Sequence, residues 1–258
     1  SSDVCSSDLK SHEVWYNTGE SGANAFQRQA GGVVDTGLKS FGLFAKVPGA
    51  SAFFVGADNR VYIVGVGPVS IPPVETAIKT QNPERCLCWE DEGHTMCAII
   101  FRDAPAWVYD VATGEWHERA QGVDLEPWQA ADSAKLGDGW YVGKSGGEVL
   151  KMLRSNADGS QPLVRSMVSR TLENDGQYIS IGELEVFARI GWAAGNVMMR
   201  LSKDSGHTWG QWRTKSWSVG EYNKRLIWRA LGQARQWTAE IRVSDPAEFP
   251  INAEGRVA

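Results

Sequence analysis

Ser202-Lys203-Asp204-Ser205-Gly206-His207-Thr208-Trp209 is the stretch that decides the fold class. A carboxylate at Asp204 can accept hydrogen bonds from N–H groups of its own turn, and Gly206 can take the positive φ that a tight turn requires. The octet therefore reads as the end of one strand, a turn, and a second strand that Thr208 and Trp209 enter. The indole of Trp209 is expected to cover the apolar face of the hairpin. The signal is architectural, and it brings no acid, base or nucleophile together for catalysis.

Working outward, the same figure of strand, turn and return strand recurs. Ala52-Phe53-Phe54-Val55 leads through Gly56-Ala57-Asp58-Asn59 into Arg60-Val61-Tyr62-Ile63-Val64. Met96 to Phe101 turns into Ala106-Trp107-Val108-Tyr109, and Ala112-Thr113-Gly114 then leads to Glu115-Trp116-His117-Glu118-Arg119. Gly139 to Gly143 turns through Ser145-Gly146-Gly147 into Glu148 to Met152. Aligning the return strands superposes Tyr62, Val108 and Leu150, which stand 46 and 42 residues apart. That is the spacing of four-stranded propeller blades.

Longer strands follow over 163–170, 181–190, 197–203, 224–231 and 237–243, forming either a closing blade or a separate sandwich. A helix is expected only around 73–80. The expected fold is all-β: propeller-like blades over 10–160, a partial propeller, then a C-terminal β region over 161–250 that contains the Asp204 hairpin. A tail is expected over 251–258. Residues 1–9 say Ser-Ser-Asp twice and read as a non-native start to a C-terminal fragment.

Composition bounds the function. Hydrophobic residues make up 42% and charged residues 22% of the chain, which excludes wholesale disorder. Six of the 12 tryptophans (Trp192, Trp209, Trp212, Trp217, Trp228 and Trp237) fall near the C-terminus, so that end is expected to pack against something large. Charge is uneven, with a balance of −10 over 1–188, +7 over 189–242 and −2 over 243–258. A basic β-rich segment of this kind is solvated or self-complementary more often than it reads DNA. The cysteines are Cys5, Cys86, Cys88 and Cys97; they lack zinc-site spacing and are expected to be free thiols. The longest uncharged run, Val61 to Val74, has 14 residues, so no membrane insertion is expected.

Candidate chemistry is sparse. His12, His94, His117 and His207 show no triad pattern, and no nucleophile elbow or phosphate loop is present. The octet matches the Asp box, a hairpin turn that recurs in β-propellers including sialidases. A sialidase would need an arginine cluster, an acid and a Tyr–Glu pair. Arg189, Arg200, Arg213, Glu221 and Tyr222 supply the residue types without the spacing. An Asp-box carbohydrate-binding or sialidase-like propeller is therefore the alternative reading.

Three stretches together carry a more specific resemblance. They are Val69 to Ile78; Glu92 to Thr95 with Ala106 to Arg119; and the Asp204 segment continued through Gly220-Glu221-Tyr222, Ile227-Trp228-Arg229, Leu231 to Arg235 and Val243 to Pro246. In this order the chain resembles the packaged-DNA stabilisation proteins of short-tailed bacteriophages, also called tail accessory factors, which form the tail nozzle. The resemblance implies a virion tail component made in the bacterial cytoplasm, with no cofactor and no catalytic residues. It implies a homo-oligomeric, usually hexameric ring below the portal adaptor protein, closed with a tail needle or plug. Packaged double-stranded DNA would pass through it without being read for sequence. The matching motif residues, Trp107, Tyr109, Asp110, Gly114, Trp116 and His117, would shape a blade, as Ser202, Asp204, Gly206, Thr208 and Trp209 would shape a hairpin. Arg225, Arg229 and Arg235, in the basic segment, are the candidates for a subunit interface against an acidic neighbour.

Overall fold

The structure is a computed structural model that describes residues 4–7, 11–22, 25–48, 52–153, 155–158, 161–247, 249 and 251–257. It is all-β apart from one short α-helix. The chain divides into two compact units, Ser1–Leu153 and Arg154–Ala258. Among the described residues no helix is long and apolar enough to cross a membrane.

The first unit is a series of antiparallel meanders. Strands β1 (Val4–Ser7), β2 (His12–Asn17) and β3 (Phe26–Val34) form the first sheet. Part of the segment expected to be non-native, Val4–Ser7, thus pairs with His12–Trp15, while residues 1–3 and 8–9 lie outside the described residues. The second sheet is β4 (Phe44–Lys46), β5 (Ala52–Val55), β6 (Val61–Ile63) and β7 (Gly67–Pro68). Helix α1 (Pro72–Thr80) follows; Pro72 and Pro73 sit in its first turn, where missing N–H groups cost nothing, and it buries Val74, Ala77 and Ile78. The third sheet is β8 (Pro83–Asp91), β9 (His94–Phe101), β10 (Ala106–Asp110), β11 (Glu115–Gln121) and β12 (Glu126–Pro127). The fourth is β13 (Ala130–Leu136), β14 (Gly139–Lys144) and β15 (Val149–Lys151).

The residues aligned by repeat spacing occupy one structural position. Tyr62 pairs with Phe54, Val108 with Ala98 and Leu150 with Val142, each on the third strand of its sheet. The period-2 alternation of β8 and β9 explains how the sheets stack, because successive side chains leave opposite faces. Cys86, Cys88, Cys97, Ile99 and Phe101 join one core with Phe53, Val61 and α1, whereas Leu87, Trp89, Ala98 and Ile100 join another with Trp128, Ala130 and Val142. The third sheet is therefore apolar on both faces, with Ile99 at 0% and Ile100 at 3% exposure. Each such side chain contributes about 1.5–3 kcal/mol on burial.

First strands of successive sheets are bonded to one another. Cys86 N–H donates to Gly42 O (2.8 Å), Arg85 Nη1 to Ala131 O (2.8 Å) and Ser133 Oγ to Cys88 O (2.8 Å). Gly42 must be glycine there, since its φ is +91° and a Cβ would lie 2.8 Å from Glu84 O.

One expectation in this region is corrected. Cys88 and Cys97 are not free thiols but form a disulfide, whereas Cys86 is free. The reason is register: the two-residue turn Glu92-Gly93, both at positive φ (45° and 87°), places Cys88 directly opposite Cys97. Burial pushes the Cys86 thiol far up from its ordinary value, leaving it neutral and inert.

The second unit comprises β16 (Ala157–Asp158), β17 (Gln161–Pro162), β18 (Arg165–Val168), β19 (Leu172–Glu173), β20 (Ile179–Ala188), β21 (Gly195–Ser202), β22 (Arg213–Trp217), β23 (Leu226–Ala234), β24 (Gln236–Val243) and β25 (Ile251–Val257). One sheet runs β18-β24-β21-β22, with β19 also on β24, and the other runs β23-β20-β25. Neighbours out of chain order are not the meander of a blade. A single core drawing Met199, Trp237 and Ile241 from one sheet and Leu184, Trp228 and Leu231 from the other defines a sandwich. The segment 251–257, expected as a tail, is the edge strand β25 on β20. Its alternation of Ile251, Ala253, Gly255 and Val257 with polar residues is a strand pattern weakened by small side chains.

Tryptophans stitch this sandwich. Trp228 Nε1 donates to Arg213 O (2.8 Å) and Trp237 Nε1 to Ile179 O (3.0 Å), each bond joining one sheet to the other. Trp217 Nε1 donates to Ala193 O (2.8 Å). Three of the six C-terminal tryptophans thus serve the core of their own unit, which accounts for much of the aromatic excess noted in the sequence.

Candidate functional site

The Asp204 turn joins β21 to β22, and its carboxylate organises it. Oδ1 accepts from Ser202 Oγ (2.7 Å) and Thr208 N–H (2.8 Å), and Oδ2 accepts from Thr208 Oγ1 (2.5 Å). Ser202 Oγ in turn accepts from Gly206 N–H (2.8 Å), with Gly206 at φ +92°. The Thr208 hydroxyl, the Ser202 hydroxyl and the Thr208 amide, in that order, pull the Asp204 carboxyl down to about 2. Two expectations are corrected here. Thr208 and Trp209 do not enter a strand, since β22 begins at Arg213; and Trp209 covers a charged side chain rather than an apolar face. The loop is wider than a two-residue turn and swings the indole back across β21.

That charged side chain belongs to a ladder on the face of the sheet opposite the core. Arg200 lies 4.8 Å from the Trp209 ring centroid and 4.5 Å from that of Trp212, and Arg242 lies 4.8 Å from Trp212. Beneath them Glu240, only 4% exposed, accepts from Arg200 Nε (2.6 Å), Arg242 Nη2 (2.9 Å) and Ser166 Oγ (2.7 Å). Burial alone would raise the Glu240 carboxyl, but the bonds from Ser166, Arg200 and Arg242 outweigh it and hold it below the usual range. The sequence reading missed Glu240, Arg242 and Trp212. The available signal was the alternation of β24, where Trp237, Ala239, Ile241 and Val243 face the core and Thr238, Glu240 and Arg242 must face the other way.

Four of the five residues named for a sialidase, all but Arg189, are committed to separate local contacts. Arg200 is held by Glu240, Arg213 Nη2 donates to Arg229 O (2.8 Å), Glu221 binds Lys224 Nζ (2.8 Å) and Ser218 N–H (2.7 Å), and Tyr222 packs edge-on against exposed Trp192. The candidate interface arginines are likewise engaged within their own unit. Arg225 forms a two-pronged pair with buried Glu185 (2.6 Å for each bond), Arg229 pairs with Glu183 (3.2 Å), and Arg235 lies over the Tyr178 ring (5.2 Å). Arg225 and Arg229 thus each meet a carboxylate of the same unit, while their side chains stay 60% and 67% exposed. Register explains it: β23 lies on β20, with Glu183 opposite Arg229.

Residues Trp107 to His117 build the β10–β11 hairpin. Asp110 is buried and accepts from Ala112 N–H (2.9 Å), Thr113 Oγ1 (3.0 Å) and His94 Nδ1 (2.8 Å). Gly114, at φ +76°, returns its N–H to Asp110 O (2.8 Å). Tyr109 and Trp116 face each other with ring centroids 5.0 Å apart, and Trp116 Nε1 reaches across to Val69 O (2.9 Å) in the neighbouring sheet segment. Trp107 pairs with Glu118, and His117 pairs with Val108 and is exposed. Each of these motif residues is placed by a hairpin or sheet contact. Among the described residues no group of three His, Cys, Asp or Glu side chains could hold a metal ion.

The second unit is thus an antiparallel two-sheet sandwich with an aspartate-built hairpin and a cation–π ladder on its outer face. Comparison with known families agrees with that class: residues 164–255 are similar to the family described as bacteriophage P22 Gp10, beta-sandwich. The match reaches into β25, as far as residue 255, and includes the motifs from Asp204 to Pro246; it leaves the Trp107–His117 motif outside. No curated protein matches the chain. Among solved structures, one titled glycoside hydrolase is similar over 78% of this chain and 63% of its own, at 9% identity and a TM-score of 0.22. The chain spans less than two thirds of that structure, and a likeness at this score carries no argument.

Proposed function

We propose that the protein is a structural component of a short-tailed phage virion, the tail nozzle that closes the portal channel, retains packaged DNA and forms part of the ejection conduit. The observation that carries this reading is the similarity of residues 164–255, most of the second unit, to the P22 Gp10 sandwich. Supporting it, the Asp box serves as a hairpin, and Arg200, Arg213, Glu221 and Tyr222 are held in structural contacts. On this reading the protein acts as a homo-oligomeric ring, hexameric by resemblance, between a portal adaptor protein and a needle or plug. On the same resemblance, DNA passes through it without sequence recognition. The test is imaging of the purified protein, with and without the adaptor. An annulus with an axial channel is expected; a monomer that neither forms rings nor joins adaptor-bearing particles would overturn the reading.

A further inference from the structure

Two loops of the second unit are closed on each other at one end of the sandwich. Gly220 N–H, in the β22–β23 loop, donates to Gly191 O in the β20–β21 loop (2.9 Å), and buried Trp217 donates its Nε1 to Ala193 O (2.8 Å). Gly191 lies at φ +100°, and a Cβ there would come within 2.8 Å of the Tyr222 ring, so a glycine is what lets the loops touch. Glu221, bonded to Ser218 N–H and Lys224 Nζ, braces the second loop. The surface held by this framework is apolar. Trp192, 73% exposed, packs edge-on against exposed Tyr222, and exposed Val219 stands beside Gly220. An indole and a phenol held side by side in water are the residues that dominate protein interfaces.

The rim narrows what the patch can meet. Arg189 opens the first loop, and Lys224 and Arg225 close the second; all three are exposed. Lys224 is bonded to Glu221 and Arg225 to Glu185, whereas Arg189 meets no carboxylate among the described residues. A nucleic-acid backbone needs a track of free cations, and two of these three are already paired. The patch suits instead a short apolar segment that carries one or two carboxylates at its edge.

The first unit of the same chain holds such a segment. The β11–β12 turn reads Gly122-Val123-Asp124-Leu125 and leads into Glu126. Val123 is exposed, and Asp124 and Glu126 beside it are exposed and unpaired among the described residues. Leu125, just before the Gln121–Glu126 pair that closes the turn, is held at φ +56°, rare for a bulky side chain. The turn is thus presented in one shape before any partner arrives. The charges of the two units are complementary as well. Residues 1–153 hold 12 Lys/Arg against 20 Asp/Glu, and residues 154–258 hold 14 against 11.

We propose that the β11–β12 turn of one copy seats on the Trp192–Tyr222 patch of a second copy, with Val123 against the indole and Asp124 and Glu126 facing Arg189 and Lys224. The two surfaces differ, so the contact is head-to-tail, the class that builds rings. The proposal rests on the ring reading above and names the contact between its subunits.

Sedimentation velocity of the full chain tests it. The wild type should self-associate, and less so as salt is raised. Trp192→Ala and, separately, Asp124→Lys combined with Glu126→Lys should each weaken association about thirtyfold or more while keeping the wild-type urea midpoint. Mixed in equal amounts, the two variants should stop at a dimer, because each keeps the face that the other has lost. Association unchanged in both variants, or a mixture that gives no dimer, overturns the contact; rings that still form in those variants leave the ring reading standing without it. A wild type that stays monomeric up to ~100 µM also overturns the contact, and the ring reading falls with it only if the chain joins no adaptor-bearing particle. Binding to vesicles of anionic lipid that is lost in Trp192→Ala, with self-association unchanged, would assign the patch to a membrane and overturn the proposal.

Discussion

Replacing Glu240 by Gln tests whether the ladder on the outer face of the sandwich is a structural keystone. The amide keeps the volume and one acceptor oxygen but removes the charge that faces two guanidinium groups. Those groups are largely enclosed, with side-chain exposures of 25% for Arg200 and 20% for Arg242. Three charge-assisted bonds are weakened or lost and two enclosed cations are left without a counter-charge, so the expected cost is about 3 kcal/mol. For a unit of about a hundred residues this corresponds to a drop in Tm of more than ~10 °C. The assay is urea unfolding of the chain at pH 7, with fluorescence reporting Trp209 and Trp212 beside the site. The control is Glu183→Gln, which breaks the Arg229 pair at 67% and 29% side-chain exposure and should cost about 0.5 kcal/mol. Because the Glu240 carboxyl is depressed in the folded protein, its contribution is complete above the ordinary carboxylate range and disappears as pH falls through the folded value. The variant should therefore flatten the acid limb of the stability profile. If Glu240→Gln costs no more than Glu183→Gln, or the acid limb is unchanged, the keystone argument is wrong.

Other outcomes follow from the same structure. Asp204 should titrate at about 2 by NMR and move back towards ordinary Asp values in Thr208→Val; its support of the turn is present above about pH 4 and fades as pH falls towards 2. Asp204→Ala should lower the unfolding midpoint and abolish no chemistry. Trp228→Phe removes the bond to Arg213 O between sheets and should cost about 1–3 kcal/mol in the same urea assay. Alkylation of the unfolded, unreduced chain should modify two of the four cysteines, Cys5 and Cys86, and all four after reduction, read by mass spectrometry. Four modified cysteines without reductant would refute the disulfide.

Much of the architecture was legible because it rests on local signals. The strand-turn-strand figures and the 46- and 42-residue spacing located the third strands at Tyr62, Val108 and Leu150, since a turn and an alternation are properties of adjacent residues. The helix was legible for the same reason, from two prolines that can open a helix and cannot continue a strand. What escaped depends on register between strands. Cys88 opposite Cys97, Glu240 beneath Arg200 and Arg242, and Arg225 on Glu185 are all pairings that the hydrogen-bond ladder decides. Charge counts over 189–242 likewise do not record that Glu183 and Glu185, outside that segment, each hold one of its arginines. Trp209 misled for a related reason: a tryptophan after a turn reads as core, and only the swing of the loop turns it onto a guanidinium.

The indole bonds of the sandwich have a mechanical consequence. An apolar interface resists being pulled apart but offers little against sliding, because shifting one layer along the other keeps nearly the same contact. A directed N–H···O bond anchored in each layer removes that freedom. Trp228 to Arg213 and Trp237 to Ile179 act as dowels, pinning the two sheets at separate points so that translation and rotation both break a bond. A body pinned in this way transmits shear as a single piece, and it should yield abruptly rather than creep when loaded along its strands.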